Sequence, residues 1–314
     1  MILITGSRGF LGSNLVNSLD GKALVVLDRT KSSIGKHLSY EADISANTDY
    51  SNPLRNADVV IHCAARVHIM NDESDDPLSD YREVNTVGTM NLAKQAAKFG
   101  VKRFIFISSI KVNGEYTDQV PFDSESPRLP KDFYGQSKSE AEDQLLALAA
   151  ETGLEVVIIR PTLVYGGGVK ANFASLMRLT SKGLPLPFGC INKNTRSLVS
   201  VTNLVDLITT CIDHPKAINQ VFLVSDDHDV STSEMVKQMS IAMGKSTFQL
   251  PVPVWCYKLV GKLTGKSDVV DRLTGSLQVD IQHTKETLDW TPPQSLQDGF
   301  KETADYILNQ PGNK

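Results

Sequence analysis

Short runs of apolar residues at 2–5, 23–27, 59–62, 104–108 and 155–160 alternate with stretches whose apolar residues recur at helical spacing, at 10–19, 79–99 and 137–151. The runs are apolar at successive positions, so both faces of each strand are buried, as in a parallel sheet covered by helices on either side. Alternating β and α units of this size predict a Rossmann-type, doubly wound α/β fold. Beyond Arg160 the pattern loosens. A glycine-rich loop (Tyr165-Gly166-Gly167-Gly168) precedes a helix near 173–182, the loop Leu184-Pro185-Leu186-Pro187-Phe188-Gly189 and a strand at 220–224. Ser231-Thr232-Ser233-Glu234 has the form of a capping box opening a helix to about Met243, and Ser295 starts a last helix in the same way. The expected organisation is a dinucleotide-binding domain in 1–165 and a smaller C-terminal substrate-binding lobe in 166–314, some of whose segments return to the first domain.

The 314 residues are 41% hydrophobic and 22% charged, enough for a sizeable core without recourse to disorder. A net charge of -4 gives no general attraction to nucleic acid, so the expected partner is a small molecule. Cys63, Cys190, Cys211 and Cys256 are widely separated, and no histidines cluster at ligand spacing, so no metal site is expected and a reducing, cytoplasmic setting is the simplest reading. Met1 leads directly into an apolar strand, and no uncharged apolar run reaches spanning length, so neither export nor membrane insertion is expected. The acidic stretch 72–76 reads as a solvated loop. The amphipathic stretch 254–263, with Trp255 and Tyr257, reads as a packed helix of the lobe ahead of a membrane-surface segment.

Gly6, Gly9 and Gly12 follow the first strand and open the first helix, where a phosphate-binding loop belongs. Glycine lets the chain turn tightly and approach a pyrophosphate, while the helix N-terminus supplies free N–H groups and the positive end of its dipole. Asp28 ends the second strand, about 20 residues on, where a carboxylate accepts hydrogen bonds from ribose hydroxyls. A 2′-phosphate would face that carboxylate, so NAD is favoured; Arg29 beside it keeps NADP open.

Tyr134 and Lys138 are four residues apart at the start of a helix and so share a face, while Ser108 and Ser109 lie at the C-terminal end of a strand, the edge where open α/β sheets bind ligands. A phenol of pKa near 10 is only about 0.1% ionised at neutral pH, so it acts as a base only with help. Lys138 and a positively charged nicotinamide would lower its pKa, and Ser109 would bond the reacting oxygen. These groups together suit hydride chemistry at a carbinol or ketone.

With these motifs the chain resembles the extended short-chain dehydrogenase/reductases, the NAD-dependent epimerase/dehydratase group. The resemblance spans nearly the whole sequence, through the glycine loop, Asp28, Asp43-Ile44, His62-Cys63-Ala64-Ala65, Asn85 with Gly88-Thr89, Ser108-Ser109, Tyr134 with Lys138, and Arg160-Pro161. It implies that Asp43 contacts adenine, that Ala64 and Ala65 line the cofactor together with Phe10, Leu11, Ile44, Asn85 and Pro161, and that Ser109 is the catalytic serine. It also implies that Asn172, Pro187, Phe188, Arg196 and Arg272 hold the diphosphate and base of a UDP-sugar, and that Lys111, His68 and Asn113 stand near the sugar. Leu163 departs from the asparagine common after the sixth strand in epimerases. Within the family the chain looks most like bacterial UDP-N-acetylquinovosamine dehydrogenases, which implies a 4-ketoreductase on a UDP-4-keto-6-deoxy-N-acetylhexosamine in surface polysaccharide precursor synthesis. A 4-epimerase with tightly bound NAD is the alternative, and a non-catalytic dinucleotide sensor the third. A homodimer through the helices at 79–99 and 137–151 is expected from the same resemblance.

Overall fold

The computed structural model describes residues 1–30, 37–67, 75–169 and 171–309. The first half runs β1 (Ile2–Thr5), α1 (Phe10–Ser18), β2 (Leu24–Asp28), β3 (Leu38–Glu41), α2 (Ser51–Leu54), β4 (Val59–His62), α3 (Pro77–Arg82), a π-helical turn (Glu83–Gly88), α4 (Thr89–Lys98), β5 (Arg103–Ile107), α5 (Phe133–Thr152) and β6 (Glu155–Pro161). The second half adds β7 (Leu163–Tyr165), α6 (Ala171–Ser181), β8 (Leu198–Ser200), α7 (Val201–Asp213), β9 (Gln220–Val224), α8 (Thr232–Ala242), α9 (Val254–Thr264), α10 (Ser267–Thr274), α11 (Gln282–Leu288) and α12 (Leu296–Leu308).

Seven strands form one parallel sheet in the order β3-β2-β1-β4-β5-β6-β9, the Rossmann-type fold expected. The order reverses between β1 and β4, so the chains leaving these neighbours diverge and open a crevice at their C-terminal ends. Successive strand residues enter opposite cores. Ile4, Ile61 and Ile159 pack under α1 and α7 with Leu15 and Leu204, whereas Leu3, Val60 and Ile158 pack under α4 and α5 with Ala93 and Leu145. Each fully buried Leu or Ile contributes roughly 1.5–3 kcal/mol, which is why the strands show no polar alternation.

Three departures from the sequence pattern bear on the site. The helix expected over 79–99 is broken by the π-helical turn, in which Gly88 lies against Ile44; a Cβ there would sit 2.8 Å from the Ile44 backbone. α7 escapes its β-branched composition because Ser200 caps it, accepting from the Asn203 N–H, and because Leu204, Leu207 and Ile208 cover the sheet. α5 begins earlier than its apolar periodicity, since Asp132 accepts from the Gly135 N–H and brings Tyr134 into the first turn. The alanines of α4 and α5 (Ala93, Ala96, Ala141, Ala149) face inward onto the sheet, so they carry no argument for a dimer.

Beyond β6 the chain leaves the sheet for β7, α6 and β8, and returns as α7 and β9. Two further apolar clusters build the lobe, one around Tyr165, Phe173, Met239 and Phe300, the other around Leu186, Phe188, Ile191 and Val236. No helix among the described residues is long and apolar enough to cross a membrane.

Candidate active site

The crevice is floored by the glycine loop. Gly6 has φ +70°, and a Cβ on it would lie 2.9 Å from the Ala64 backbone; a Cβ on Gly12 would lie 2.1 Å from the Gly6 carbonyl oxygen. The loop therefore packs against itself and against the exit of β4, leaving no room for a side chain at either glycine. No side chain caps α1, which has no acid in its first turn, so its N-terminal N–H groups, among them those of Phe10 and Leu11, are suited to an anion. The Phe10 and Leu11 side chains are half-buried against the core. These are the features that fit the diphosphate of a dinucleotide. Asp28, 7% exposed, accepts from the Ser7 hydroxyl and, at 3.3 Å, from the Arg8 N–H, so the carboxylate expected at the ribose also fastens the loop. Arg29 is exposed beside it, Asp43 is exposed after β3, and Ile44 is buried in the core under Gly88. Ala64 donates its N–H to the Thr5 hydroxyl at 3.2 Å, and Ala65 follows, half-buried.

At the opposite side of the crevice, Tyr134 and Ser109 are both half-buried. Lys138 is only 1% exposed; its ammonium donates to the Ile107 carbonyl at 2.8 Å and stands 4.3 Å above the Phe106 ring. The lysine thus ties α5 to the end of β5, two residues before Ser109. Burial drives its pKa down to about 7, against smaller opposing effects of Cys63 and Glu142. For Tyr134 the expected lowering is not what the protein's own groups produce. Burial pushes the phenol up, and the charge of Asp132 and the neighbouring Tyr81, whose ring meets Tyr134 edge-on at 6.4 Å, push the same way.

Beneath these groups lies a buried polar frame. Ser108 donates to Glu142, which is fully buried and paired with Arg160 at 2.5 Å; Arg160 also donates to the Asn113 side-chain oxygen at 3.1 Å. Ser108 is committed to this frame and Ser109 is not. Asn113, expected near the sugar, is buried, with its amide donating to the Ser126 carbonyl. Asn85 accepts from the Arg66 N–H and donates to the Arg66 carbonyl and the Ser137 hydroxyl, so it clamps the β4 exit to α5. His62 bridges Thr5 and Thr89 at 2.7 and 2.9 Å, and burial, with Lys138 nearby, lowers its pKa to about 3, so it is neutral. Glu142 and Asp132 were not singled out from sequence; the signals were an acid one turn after Lys138 and an Asp three residues before Gly135.

On the lobe side, the Arg196 guanidinium donates to the backbone carbonyls of Arg272 and Gly275 at 2.7 and 3.3 Å, and Arg272 Nε to the Asp268 carbonyl at 3.1 Å. Burial and then the Arg272 charge lower the Arg196 pKa. Two adjacent guanidiniums are held by carbonyls, with no carboxylate paired to either among the described residues. Such a pair suits an anion. The Phe188 side chain is core, stacked on Tyr257 at 6.4 Å, so any contact of this segment with a base must run through its backbone; Pro187 beside it is half-buried. Pro161 closes β6, opposite Val224. Leu163 opens β7 with its side chain exposed. Asn172 lies in the first turn of α6, its side chain outside the described residues, as are His68 and most of the acidic stretch 72–76.

Lys111 requires a correction. Its ammonium is taken by Asp132 and, at 2.9 Å, by Glu115, instead of pointing to a sugar. Burial lowers its pKa, but these two carboxylates outweigh it and leave the pKa raised.

Residues 2–225 match the family described as "NAD dependent epimerase/dehydratase family". A Vibrio cholerae protein named UDP-glucose 4-epimerase is 66% identical over 312 residues, covering 98% of this chain and 95% of the relative. That relative is an epimerase and not a UDP-N-acetylquinovosamine dehydrogenase, so the finer resemblance read from sequence is not supported. Among solved structures, UDP-glucose 4-epimerase of Thermotoga maritima with UDP-glucose has a TM-score of 0.77 at 24% identity, covering 98% of both chains. UDP-glucuronic acid 4-epimerase of Bacillus cereus in complex with NAD has a TM-score of 0.78 at 22% identity, again covering 98% of both; at such identities these two show the shared fold. By the span of the family match and the likeness to the Vibrio relative, the chain belongs to the NAD-dependent epimerase/dehydratase family.

Proposed function

We propose that this protein is a UDP-hexose 4-epimerase that interconverts UDP-glucose and UDP-galactose with NAD. The observation that carries the reading is 66% identity over 98% of the chain to a protein named UDP-glucose 4-epimerase, and it favours epimerisation over the 4-ketoreductase expected from sequence. In this reading residues 1–165 are mainly the NAD-binding domain and 166–314 mainly the sugar-nucleotide lobe, and the enzyme is a homodimer.

NAD, when bound along the glycine loop with its ribose at Asp28, supplies a hydride acceptor that also returns the hydride. The chain's own residues handle the proton and the orientation. Tyr134 takes the proton of the 4-hydroxyl group and gives it back, and Ser109 donates a hydrogen bond to the same oxygen. Since burial, Asp132 and Tyr81 all raise the phenol, Lys138 supplies the cation that favours the phenolate, and its own pKa of about 7 leaves it part-protonated at neutral pH. Arg196 and Arg272 hold the diphosphate, and the backbone at Pro187-Phe188 meets the base. The exposed Leu163 gives the sugar an apolar contact where many epimerases have an amide.

Replacing Tyr134 by Phe removes one oxygen from the site. We expect UDP-glucose turnover to fall by roughly 100-fold or more while NAD still binds; turnover at the wild-type rate by this variant would sink the mechanism.

A further inference from the structure

α9 has two unlike faces. Its inner face packs on the segment that forms the lobe side of the crevice: Val254 and Tyr257 lie against Leu186 and Phe188, and Gly261 lies so close to α10 that a Cβ would meet Val270 at 2.8 Å. Its outer face carries Trp255, Leu259 and Leu263 at i, i+4 and i+8, which places them in one row along the helix. They are 65%, 51% and 77% exposed. Val260 and, on α10, Val269 widen the row. Isolated exposed leucines are ordinary, but a continuous ridge of large apolar groups along a whole helix calls for a partner.

Charge identifies the partner. Residues 254–267 carry Lys258, Lys262 and Lys266, all exposed, and no acidic residue, in a chain whose net charge is -4; the exposed acids of the neighbouring α10, Asp268 and Asp271, follow beyond the α9 row. Lys258 and Lys262 border the apolar row on one side, and Lys266 follows in the turn to α10. An apolar ridge edged by lysines, with a tryptophan at one end, is the pattern of a helix lying in the plane of a bilayer interface, its apolar groups among the acyl chains and its lysines at anionic headgroups. A second copy docking by the same face with the two helices antiparallel about a two-fold axis would set these lysines beside one another. We propose that the outer face of α9 docks this protein on an anionic phospholipid surface. Because α9 covers Phe188 and α10 carries Arg272, docking holds the lobe side of the crevice at the membrane. The helix spans about 16 Å and lies on the bilayer without crossing it.

The test is vesicle co-sedimentation of the full chain with phosphatidylcholine vesicles and with vesicles also containing phosphatidylglycerol. Wild type is compared with a Leu259→Ser, Leu263→Ser variant and a Lys258→Ser, Lys262→Ser variant, both checked by circular dichroism for an unchanged fold. Binding to the anionic vesicles should exceed binding to phosphatidylcholine by roughly a hundredfold, weaken in high salt, and fall at least about tenfold in each variant. Tryptophan emission should shift to the blue on binding, through Trp255, since Trp290 is already buried at 5% exposure. The proposal is overturned if the wild type ignores anionic vesicles, binds both kinds equally, or binds no better than the leucine variant. It is equally overturned if light scattering shows a lipid-free oligomer that the leucine variant dissociates, since a second copy would then occupy the face.

Discussion

Lys138 offers a test of the site in which the ionisation of one buried group is read from folding stability. The residue is 1% exposed, its ammonium lies over the Phe106 ring and donates to a backbone carbonyl, and Glu142, the carboxylate that acts on it, is already paired with Arg160. Burial brings the pKa from 10.5 to about 7. Between these values the unfolded chain binds a proton that the folded chain lacks, so unfolding free energy rises with pH, by roughly 1 kcal/mol per unit. The penalty of burying this lysine is therefore full below the folded pKa and gone above the unfolded one. Lys138→Met keeps the apolar stem and removes the titration. The stability of wild type minus that of Lys138→Met should rise by about 2 kcal/mol between pH 7 and pH 9, whatever the two differ by in packing. Urea unfolding of nucleotide-free protein, followed by circular dichroism at pH 7, 8 and 9, measures it. A difference that stays constant with pH would refute the burial of a titrating lysine at this position.

Other outcomes follow from single contacts. Gly12→Ala drives a methyl group to 2.1 Å from the Gly6 carbonyl, so the variant should fold around a displaced loop and lose NAD binding, read by equilibrium dialysis. Asp132→Asn keeps the α5 cap and removes a charge that raises the Tyr134 pKa, so the limb of the pH–rate profile that reports Tyr134 should move to lower pH. Lys111→Met unmasks that charge and should move the limb to higher pH; a raised KM with an unmoved profile would instead return Lys111 to the substrate. Arg103 is buried, pairs with Glu155 at 2.6 Å and donates to the Cys211, Ile212 and His214 carbonyls at the end of α7. Arg103→Met should therefore lower stability by about 3–5 kcal/mol, measured by urea unfolding.

Much of the sheet was legible because its strands are buried on both faces: Ile2-Leu3-Ile4 and Val59-Val60-Ile61 feed two cores at once and show no polar interruption. The glycine loop was legible because a Cβ is excluded at Gly6 and Gly12 by backbone, a constraint that residue type alone reveals. What hid were features made by partners distant in sequence. α7 is rich in β-branched residues and becomes a helix through its Ser200 cap and the sheet beneath it. Lys111 is placed near the sugar by resemblance, because nothing in the sequence reveals Asp132, 21 residues on, as its partner. Glu142 carries no sequence signal beyond its place one turn after Lys138; its role comes from Arg160 and Ser108, which meet it in the core. The lobe arginines could be named, but their mutual approach depends on residues 196 and 272 folding together.

The account turns most directly on the cofactor's fate during turnover. Purified protein incubated with UDP-glucose and no added nucleotide, followed by proton NMR of the anomeric signals with 340 nm absorbance in parallel, should form UDP-galactose to equilibrium with no net change in absorbance. Absence of UDP-galactose, together with stoichiometric oxidation of added NADH only when a UDP-4-keto-6-deoxy sugar is supplied, would contradict the epimerase and restore the reductase.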